Sequence, residues 1–314
     1  MPSLQNPPAP VSTPWPRALP ARFRRERILI IGCGDVGLRV ARAVAKPSRV
    51  LALTSTAQRV PELRAHGIVP LLGNLDNPAT LRRLAGLATR VIQLAPPPSV
   101  GDADPRTTAL LRVLQLKSRP QSFVYASTTG VYGNCDGAIA TETRAVNAYS
   151  ARAIRRLHAE RSTRNFGQTS GVRSIILRVP GIYAPDREGG TPQQRLSRGT
   201  AVLLPNDDVY TNHIHANDLA RACLAALWRG QPQRIYNVND DTCLKMGDYF
   251  DQAADLYGLP RPPRVSRIQA QSLLSPMQLS FMRESRRMDN TRMKKELRLH
   301  LLYPSVWQGL AAIT

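Results

Sequence analysis

Residues 27–45 constrain the fold more than any other stretch of the chain. Four apolar, strand-forming residues, Ile28 to Ile31, run into three glycines spaced G-x-G-x-x-G (Gly32, Gly34 and Gly37). Val36, Val40 and Val44 then recur at helical spacing. A strand that turns sharply into a helix needs glycine where the backbone folds back, which is the place of Gly32. Gly34 leaves the main chain bare for a pyrophosphate, and Gly37 lets the helix lie close against the strand. The helix start adds unpaired N–H groups and a positive dipole end. Such a corner is a dinucleotide site, with Asp35 and Val36 as further contact residues beside the three glycines.

The remaining composition narrows the setting. With 314 residues the chain buries a sizeable core. No apolar run approaches the roughly 18 residues of a membrane span, so no membrane is expected. Prolines crowd residues 1–26 without apolar periodicity, which predicts a disordered or extended tail. The tail lacks the apolar core of a secretory signal; its arginines leave an organellar transit peptide as an alternative to a cytoplasmic protein. The formal charge of +21 invites a nucleic-acid reading. Yet the arginines are spread over every segment with no dense stripe, so specific nucleic-acid binding is not expected. Cys33, Cys135, Cys223 and Cys243 form no C-x-x-C pair, which fits a reducing cytoplasm and no metal or disulfide framework.

Strands and helices alternate onward from the first corner. Residues 49–54 make a second strand. About 20 residues past the glycines, dinucleotide folds place a carboxylate on the ribose 2′-hydroxyl. Here Thr54, Ser55 and Thr56 stand instead, with Arg59 just beyond, which favours NADP over NAD; the plainer reading of Arg59 is a helix cap. Residues 68–72 form a third strand leading to Asn74, and Asn77 and Pro78 start a helix through Leu87. Residues 91–95 form a fourth strand, whose end carries Leu94 and Ala95 and breaks at Pro96 to Pro98. A helix over 110–116 and a fifth strand over 122–126 complete the pattern of an α/β, Rossmann-type doubly wound parallel sheet.

Later motifs carry a family resemblance. Phe123-Val-Tyr-Ala-Ser127-Thr128-Thr129-Gly130-Val131-Tyr132-Gly133 resembles the fifth-strand signature of extended short-chain dehydrogenases/reductases, the NAD(P)-dependent epimerase/dehydratase group. Arg178-Val-Pro180-Gly181-Ile-Tyr183 resembles that family's loop beside the nicotinamide. His213-Ile-His215-Ala-Asn-Asp218-Leu219-Ala220 and Ile235-Tyr-Asn-Val238 resemble its later elements. The match covers about residues 27–312 and is nearest an atypical branch with an arginine-rich active-site helix. It implies a dinucleotide domain over 27–180 and a smaller substrate-binding region over 181–314, with strands near 208–214 and 234–238 returning to the sheet. It also implies oxidoreductase or epimerase/dehydratase chemistry on a small, anionic carbonyl or sugar-nucleotide substrate. Pro180 and Tyr183 would then flank the cofactor, the substrate would lie near Thr128 and Tyr183, and a homodimer would form through helices around 107–117 and 150–160.

The family's acid/base machinery is where this sequence departs. The resemblance assigns Thr128 the hydroxyl position. No lysine lies between Lys117 and Lys245, so the lysine of Y-x-x-x-K is missing. Two registers fit. One puts Arg152 at the tyrosine and Arg156 at the lysine, keeping Leu157 and Glu160 in phase; the other puts Tyr149 at the tyrosine and Ala153 at the lysine. An arginine stays protonated to above pH ~12 and cannot cycle a proton at neutral pH, though its forked donors suit a phosphate or carboxylate. A non-catalytic NAD(P)-binding sensor or scaffold is therefore the alternative. His213, His215 and Asp218 lack a further convergent ligand for a metal; Asn217 or Asp218 is expected to cap a helix over 219–228. A helix is expected over 241–258. Arg283, Arg286, Arg287, Asp289 and Lys294 resemble the family segment that closes over substrate.

Overall fold

In a computed structural model, which describes residues 25–312, the first corner opens a seven-stranded parallel sheet. Its strands are β1 (Arg27–Ile31), β2 (Arg49–Thr54), β3 (Val69–Leu72), β4 (Arg90–Gln93), β5 (Ser122–Thr128), β6 (Arg173–Val179) and β7 (Arg234–Asn237), in the order β7-β6-β5-β4-β1-β2-β3. The Pro-rich tail falls, up to residue 24, outside the described residues. Strand β1 is apolar at every position from Ile28 to Ile31 because both of its faces are covered. Ile28 and Ile30 point into one core with Val40, Val124, Ile175 and Leu219, while Leu29 and Ile31 point into the other with Leu51, Leu110, Phe123 and Phe166. Helices α1 (Asp35–Ala43), α2 (Pro105–Val113), α3 (Ala151–Ser170) and α4 (Ala216–Arg229) supply those layers. The strand order reverses between β1 and β4, which opens a crevice at their carboxyl ends.

Several boundaries differ from the sequence reading, each for a local reason. The stretch expected as a helix from Asn77 is a 3-10 helix, Pro78–Leu84, started by the Asn77 side chain accepting from the Ala79 N–H. Helix α2 begins earlier than expected because Asp104 caps it, accepting from the Thr107 N–H at 3.0 Å. Helix α4 is capped neither by Asn217 nor by Asp218: His215 Nδ1 accepts from the Asn217 N–H at 3.2 Å. The Asp218 carboxylate is turned inward, accepting from the Leu302 and Tyr303 N–H groups at 2.9 Å each. Of the two stretches expected back in the sheet, only 234–237 returns, as β7. Tyr210–Thr211 pairs antiparallel with Leu244–Lys245, and His213–His215 pairs parallel with Gly181–Tyr183. These small ladders sit over a separate core built from Tyr183, Val202, Leu203, Phe250 and Leu310, with α5 (Met246–Tyr257) across it.

The carboxyl end of the sheet is tied together by a buried ion pair. On α3, Glu160 is buried against Arg178 of β6, with Nη2–Oε2 at 2.7 Å and Nε–Oε1 at 3.1 Å, a two-pronged contact. Ser127 Oγ at the end of β5 donates to the same carboxylate at 2.6 Å. The Arg178 guanidinium lies 4.6 Å over the Tyr132 ring, whose hydroxyl donates to Asn237 Oδ1 of β7 at 2.8 Å. One chain of contacts thus fixes α3 relative to β5, β6 and β7. Removing one partner strands the other charge in the interior, at a cost of roughly 3–5 kcal/mol. Glu160→Ala is therefore expected to lower unfolding stability by about that amount in urea titration; a loss within measurement error would show that the pair holds nothing in place.

Candidate functional site

The corner that opens the chain forms one wall of a cavity of about 460 Å³ at the carboxyl ends of β1, β2 and β4. Each glycine of the motif has a distinct reason. Gly32 is left-handed at φ +80°, and a Cβ there would lie 2.5 Å from the Ala95 amide nitrogen. A Cβ on Gly37 would lie 3.2 Å from Ile30 Cγ2 and from Cys33 Sγ, a tight fit that requires those side chains to give by a few tenths of an ångström. Gly34 differs: a Cβ there meets nothing within 4 Å, because its face opens on the cavity. Gly34 is also the N-cap of α1, with no side chain occupying the helix start. A bare, open backbone at a free helix N-terminus fits the diphosphate of a dinucleotide.

The other expected contact residues divide. Asp35, Val36, Thr54, Arg59, Leu94's backbone neighbour Ala95, and Leu94 itself line this cavity. Asn74 lies in a smaller neighbouring one of about 170 Å³, its side chain accepting from the Asp76 N–H at 2.9 Å. No carboxylate stands at the end of β2, where Thr54, Ser55 and Thr56 line the wall. Arg59 is not idle: Nη1 donates to the Cys33 carbonyl at 2.7 Å, and Nε and Nη2 hold Glu62 at 3.0 and 3.1 Å. Burial pushes the Cys33 thiol up to about 11, so it stays protonated at neutral pH.

A second cavity of about 390 Å³ adjoins the first and shares Ser127, Arg156, Val179 and Ile182 with it. Thr128, Pro180 and both Arg152 and Arg156 line it. The two arginines stand one helical turn apart on α3, so both project to the same side. Arg156 Nη1 donates to the Ala126 carbonyl at 2.6 Å and to the Tyr125 hydroxyl oxygen at 3.2 Å. Arg152 lies 4.9 Å over the Phe281 ring. Neither arginine has a carboxylate partner among the described residues. Glu284, also in the wall, pairs with Arg286 at 2.6 Å.

Two tyrosines expected at the site line neither cavity. Tyr149 precedes α3, which Ser150 caps, so it is not on the helix at all; it is 46% exposed and lines neither cavity. Burial, then the neighbouring Glu284, raises its phenol further above the ordinary value. Tyr183 is buried in the smaller core, its hydroxyl donating to the Ser305 carbonyl at 3.2 Å, because the ring packs edge-on against His213 and His215 rather than toward the cleft. The phenol that does line the second cavity belongs to Tyr210, under the Arg287 guanidinium at 5.3 Å. Tyr210, Glu284 and Arg187 of the first cavity were missed because no local spacing marks them; each is brought in by long-range pairing. Among the described residues no His, Cys, Asp and Glu cluster converges on a metal, and no helix is long and apolar enough to cross a membrane.

Comparison with known proteins agrees with this geometry. The model of the NAD dependent epimerase/dehydratase family matches residues 28–239. A functionally unknown conserved protein from Silicibacter pomeroyi is 30% identical, with a TM-score of 0.77 over 91% of this chain and 97% of that one. The fold is shared with UDP-glucuronic acid 4-epimerase from Bacillus cereus, solved in complex with NAD (16% identity, TM-score 0.73, 91% and 96% covered). It is shared too with UDP-glucose 4-epimerase from Thermotoga maritima, solved with UDP-glucose (18%, 0.74, 91% and 96%). No curated protein sequence matches significantly.

His213 lines the second cavity yet is 8% exposed, with Nδ1 unpartnered and its ring 4.4 Å from that of Tyr249. Burial pushes its pKa down to about 4. The unfolded chain therefore takes up this proton first as pH falls, and the stability the neutral ring contributes is lost from about pH 6.5 down to about 4. Buried Asp240, pushed up to about 8, has the opposite slope over that range, so the His213 part is read as a difference. The gap in unfolding free energy between wild type and His213→Gln is expected to shrink by roughly 3 kcal/mol over that interval. A pH-independent gap would show that His213 titrates normally.

Proposed function

The chain belongs to the NAD-dependent epimerase/dehydratase family, and from that premise we propose that it binds NAD(P)(H) and acts on a small anionic carbonyl or sugar-nucleotide substrate. The observation that carries the proposal is the junction of the two cavities. A glycine-walled cradle for a diphosphate opens, at Ser127, Arg156, Val179 and Ile182, onto a chamber with two guanidinium groups that lack counter-ions. A nicotinamide dinucleotide bound there supplies hydride exchange with a substrate carbon.

The chain's own residues divide the remaining tasks. Arg152 and Arg156 hold the anionic group of the substrate, since their forked donors match a carboxylate or phosphate. Arg156 is fixed by Ala126 and Tyr125, so it sets the position of whatever it grips. Thr128 accepts from the Gly130 N–H at 3.2 Å, which orients its hydroxyl for a substrate oxygen. Neither arginine exchanges protons at neutral pH. Proton movement at the substrate therefore passes through a hydroxyl such as Thr128 or Tyr210, or through Glu284. The neighbouring epimerases bind NAD and UDP-glucose in their solved forms, which supports a nucleotide-linked sugar as one substrate class.

For the cofactor we propose a preference for NADP. The end of β2 has no carboxylate to repel a 2′-phosphate, and Arg59 lies beside it. Gripping the phosphate requires Arg59 to exchange Glu62 for it. The second reading is a non-catalytic NAD(P) sensor or scaffold, favoured by the absence of a Tyr/Lys pair and by Tyr149 lying outside the chamber.

Calorimetry tests the cofactor reading. Gly34→Val is expected to abolish NADH and NADPH binding in a protein that still melts cooperatively, because the new side chain fills the space of the diphosphate. Retained binding would place the dinucleotide elsewhere. Arg59→Ala is expected to weaken NADPH about tenfold, or about 1.4 kcal/mol, and to leave NADH unchanged; equal effects on both would remove the 2′-phosphate argument. Turnover of nicotinamide fluorescence across carbonyl and sugar-nucleotide substrates separates the two readings: tight binding with no turnover anywhere favours the sensor.

A further inference from the structure

The first cavity contains one acidic residue whose presence the glycine motif does not explain. Asp35 opens α1, beside the bare Gly34, where a carboxylate would repel a diphosphate. Two arginines neutralise it. Arg39, 8% exposed, holds Asp35 Oδ1 through Nε at 2.9 Å and Asp186 Oδ1 through Nη2 at 2.7 Å. Arg187 reaches Asp35 Oδ2 through Nη1 at 3.0 Å. The pairs Asp35–Arg187 and Arg39–Asp186 cross between α1 and a loop some 150 residues later.

That loop, residues 184–190, is closed on itself. The Ala184 N–H donates to the Gly190 carbonyl at 3.2 Å and the Gly190 N–H to the Arg187 carbonyl at 2.9 Å. A Cβ on Gly190 would lie 2.4 Å from the Ala184 carbonyl oxygen, so the turn has no slack. The backbone of Arg187 is thereby fixed, and Asp186 is anchored by a buried arginine. The Arg187 side chain, by contrast, is 31% exposed and lines the same cavity as Gly34. Among the described residues only Nη1 has a partner, which leaves the other donors uncommitted there. Arg39 divides its charge between Asp35 and Asp186, so Arg187 completes the balance of two arginines against two aspartates while spending only Nη1 on it.

On the reading that this cavity takes a dinucleotide, we propose that Arg187 grips the cofactor's diphosphate with its free guanidinium edge while Asp35 holds the other edge in place. The loop is then a clasp: main chain at Gly34 meets the diphosphate from one side and a pre-oriented arginine from the other. A fork fixed at one edge loses little freedom on taking up a phosphate oxygen at the other. Arg187 is thus a cofactor-binding residue that also explains why an acidic side chain is tolerated inside the glycine motif.

The test is calorimetry of the full chain with ADP-ribose and with NADH, over a series of salt concentrations, for wild type, Arg187→Ala and Arg187→Lys. Arg187→Ala is expected to weaken both ligands at least tenfold and to flatten the dependence of affinity on salt; Arg187→Lys, keeping the charge without the fork, recovers part of the affinity and the full salt slope. Alanine and wild-type proteins that bind ADP-ribose within twofold of each other, with the same salt slope, would overturn the proposal while leaving the dinucleotide reading intact. Wild type binding neither ligand would instead remove that reading, and the clasp with it. Should Arg187→Ala melt at a lower temperature, Arg187→Lys carries the test: unchanged affinity for both ligands at every salt concentration would overturn the clasp.

Discussion

The close approach of β1 to its neighbours at Gly32 sets the geometry of everything above the sheet. The chain leaves β1 in a left-handed turn pressed against Ala95 at the end of β4, with no room for a side chain between them. Beyond it β1 and β4 stay paired to Ile31 and Gln93 while α1 and α2 diverge to opposite faces of the sheet. A crevice between diverging helices is the inevitable product. One wall is the glycine corner of Gly32, Gly34 and Gly37, and the charge comes from Asp35 beside it and from Arg59, Arg156 and Arg187, delivered by later segments. The crevice is thus a backbone feature first and a side-chain feature second.

The side chains that decorate it are positioned by buried polar contacts rather than by the loops carrying them. Arg156 is aimed by the Ala126 carbonyl, and α3, which bears it, is registered by the Glu160–Arg178 pair and Ser127. A buried ion pair contributes little net stability compared with apolar packing, but breaking it is costly, so it specifies one arrangement. Beneath the start of α4, buried Asp218 binds two backbone N–H groups of the C-terminal segment, next to a Tyr303 ring tilted 33° against His215 with centroids 3.8 Å apart. The neutral His215 accepts from Asn217, and Asn217 in turn accepts from Arg39 at 2.6 Å. The helix that would have been capped by an acid is capped by an imidazole instead, which frees the acid to fasten the chain's end.

How much of this was legible in the sequence follows from the range of the interactions. The β1–α1 corner was readable because strand, glycines and helix are adjacent, and local sterics alone dictate Gly32 and favour Gly37. The parallel sheet was readable from alternation, and β7 from its apolar run. What could not be read was any placement set by contacts between distant segments. Tyr183 is a hydroxyl in a loop-like motif until the third core claims its ring. Tyr149 sits one residue before a serine cap, so the helix starts too late to carry it. The ladders at 210–211 and 213–215 look like returning strands but pair with 244–245 and 181–183, while the β7 backbone is met by side chains, Arg292 donating to the Ile235 carbonyl and Glu142 accepting from the Asn237 N–H.

With no lysine between Lys117 and Lys245, the cations that α3 presents to the chamber are Arg152 and Arg156, and that sets its physics as well as its chemistry. A lysine beside a phenol lowers the phenol's pKa, and the pair can pass a proton. Two guanidinium groups cannot, but they raise the local potential and hold it at all accessible pH values. Tyr125, the phenol nearest Arg156, illustrates the limit: burial drives its pKa up to about 12 even with the guanidinium in hydrogen-bond range. A cation alone therefore does not create an acid/base tyrosine here, because desolvation outweighs it. What the arginines do supply is fixed positive charge in the second cavity, with Arg156 standing where it joins the first. Recognition of charge is built into this helix. The capacity to move a proton must come from the neutral and acidic groups around it.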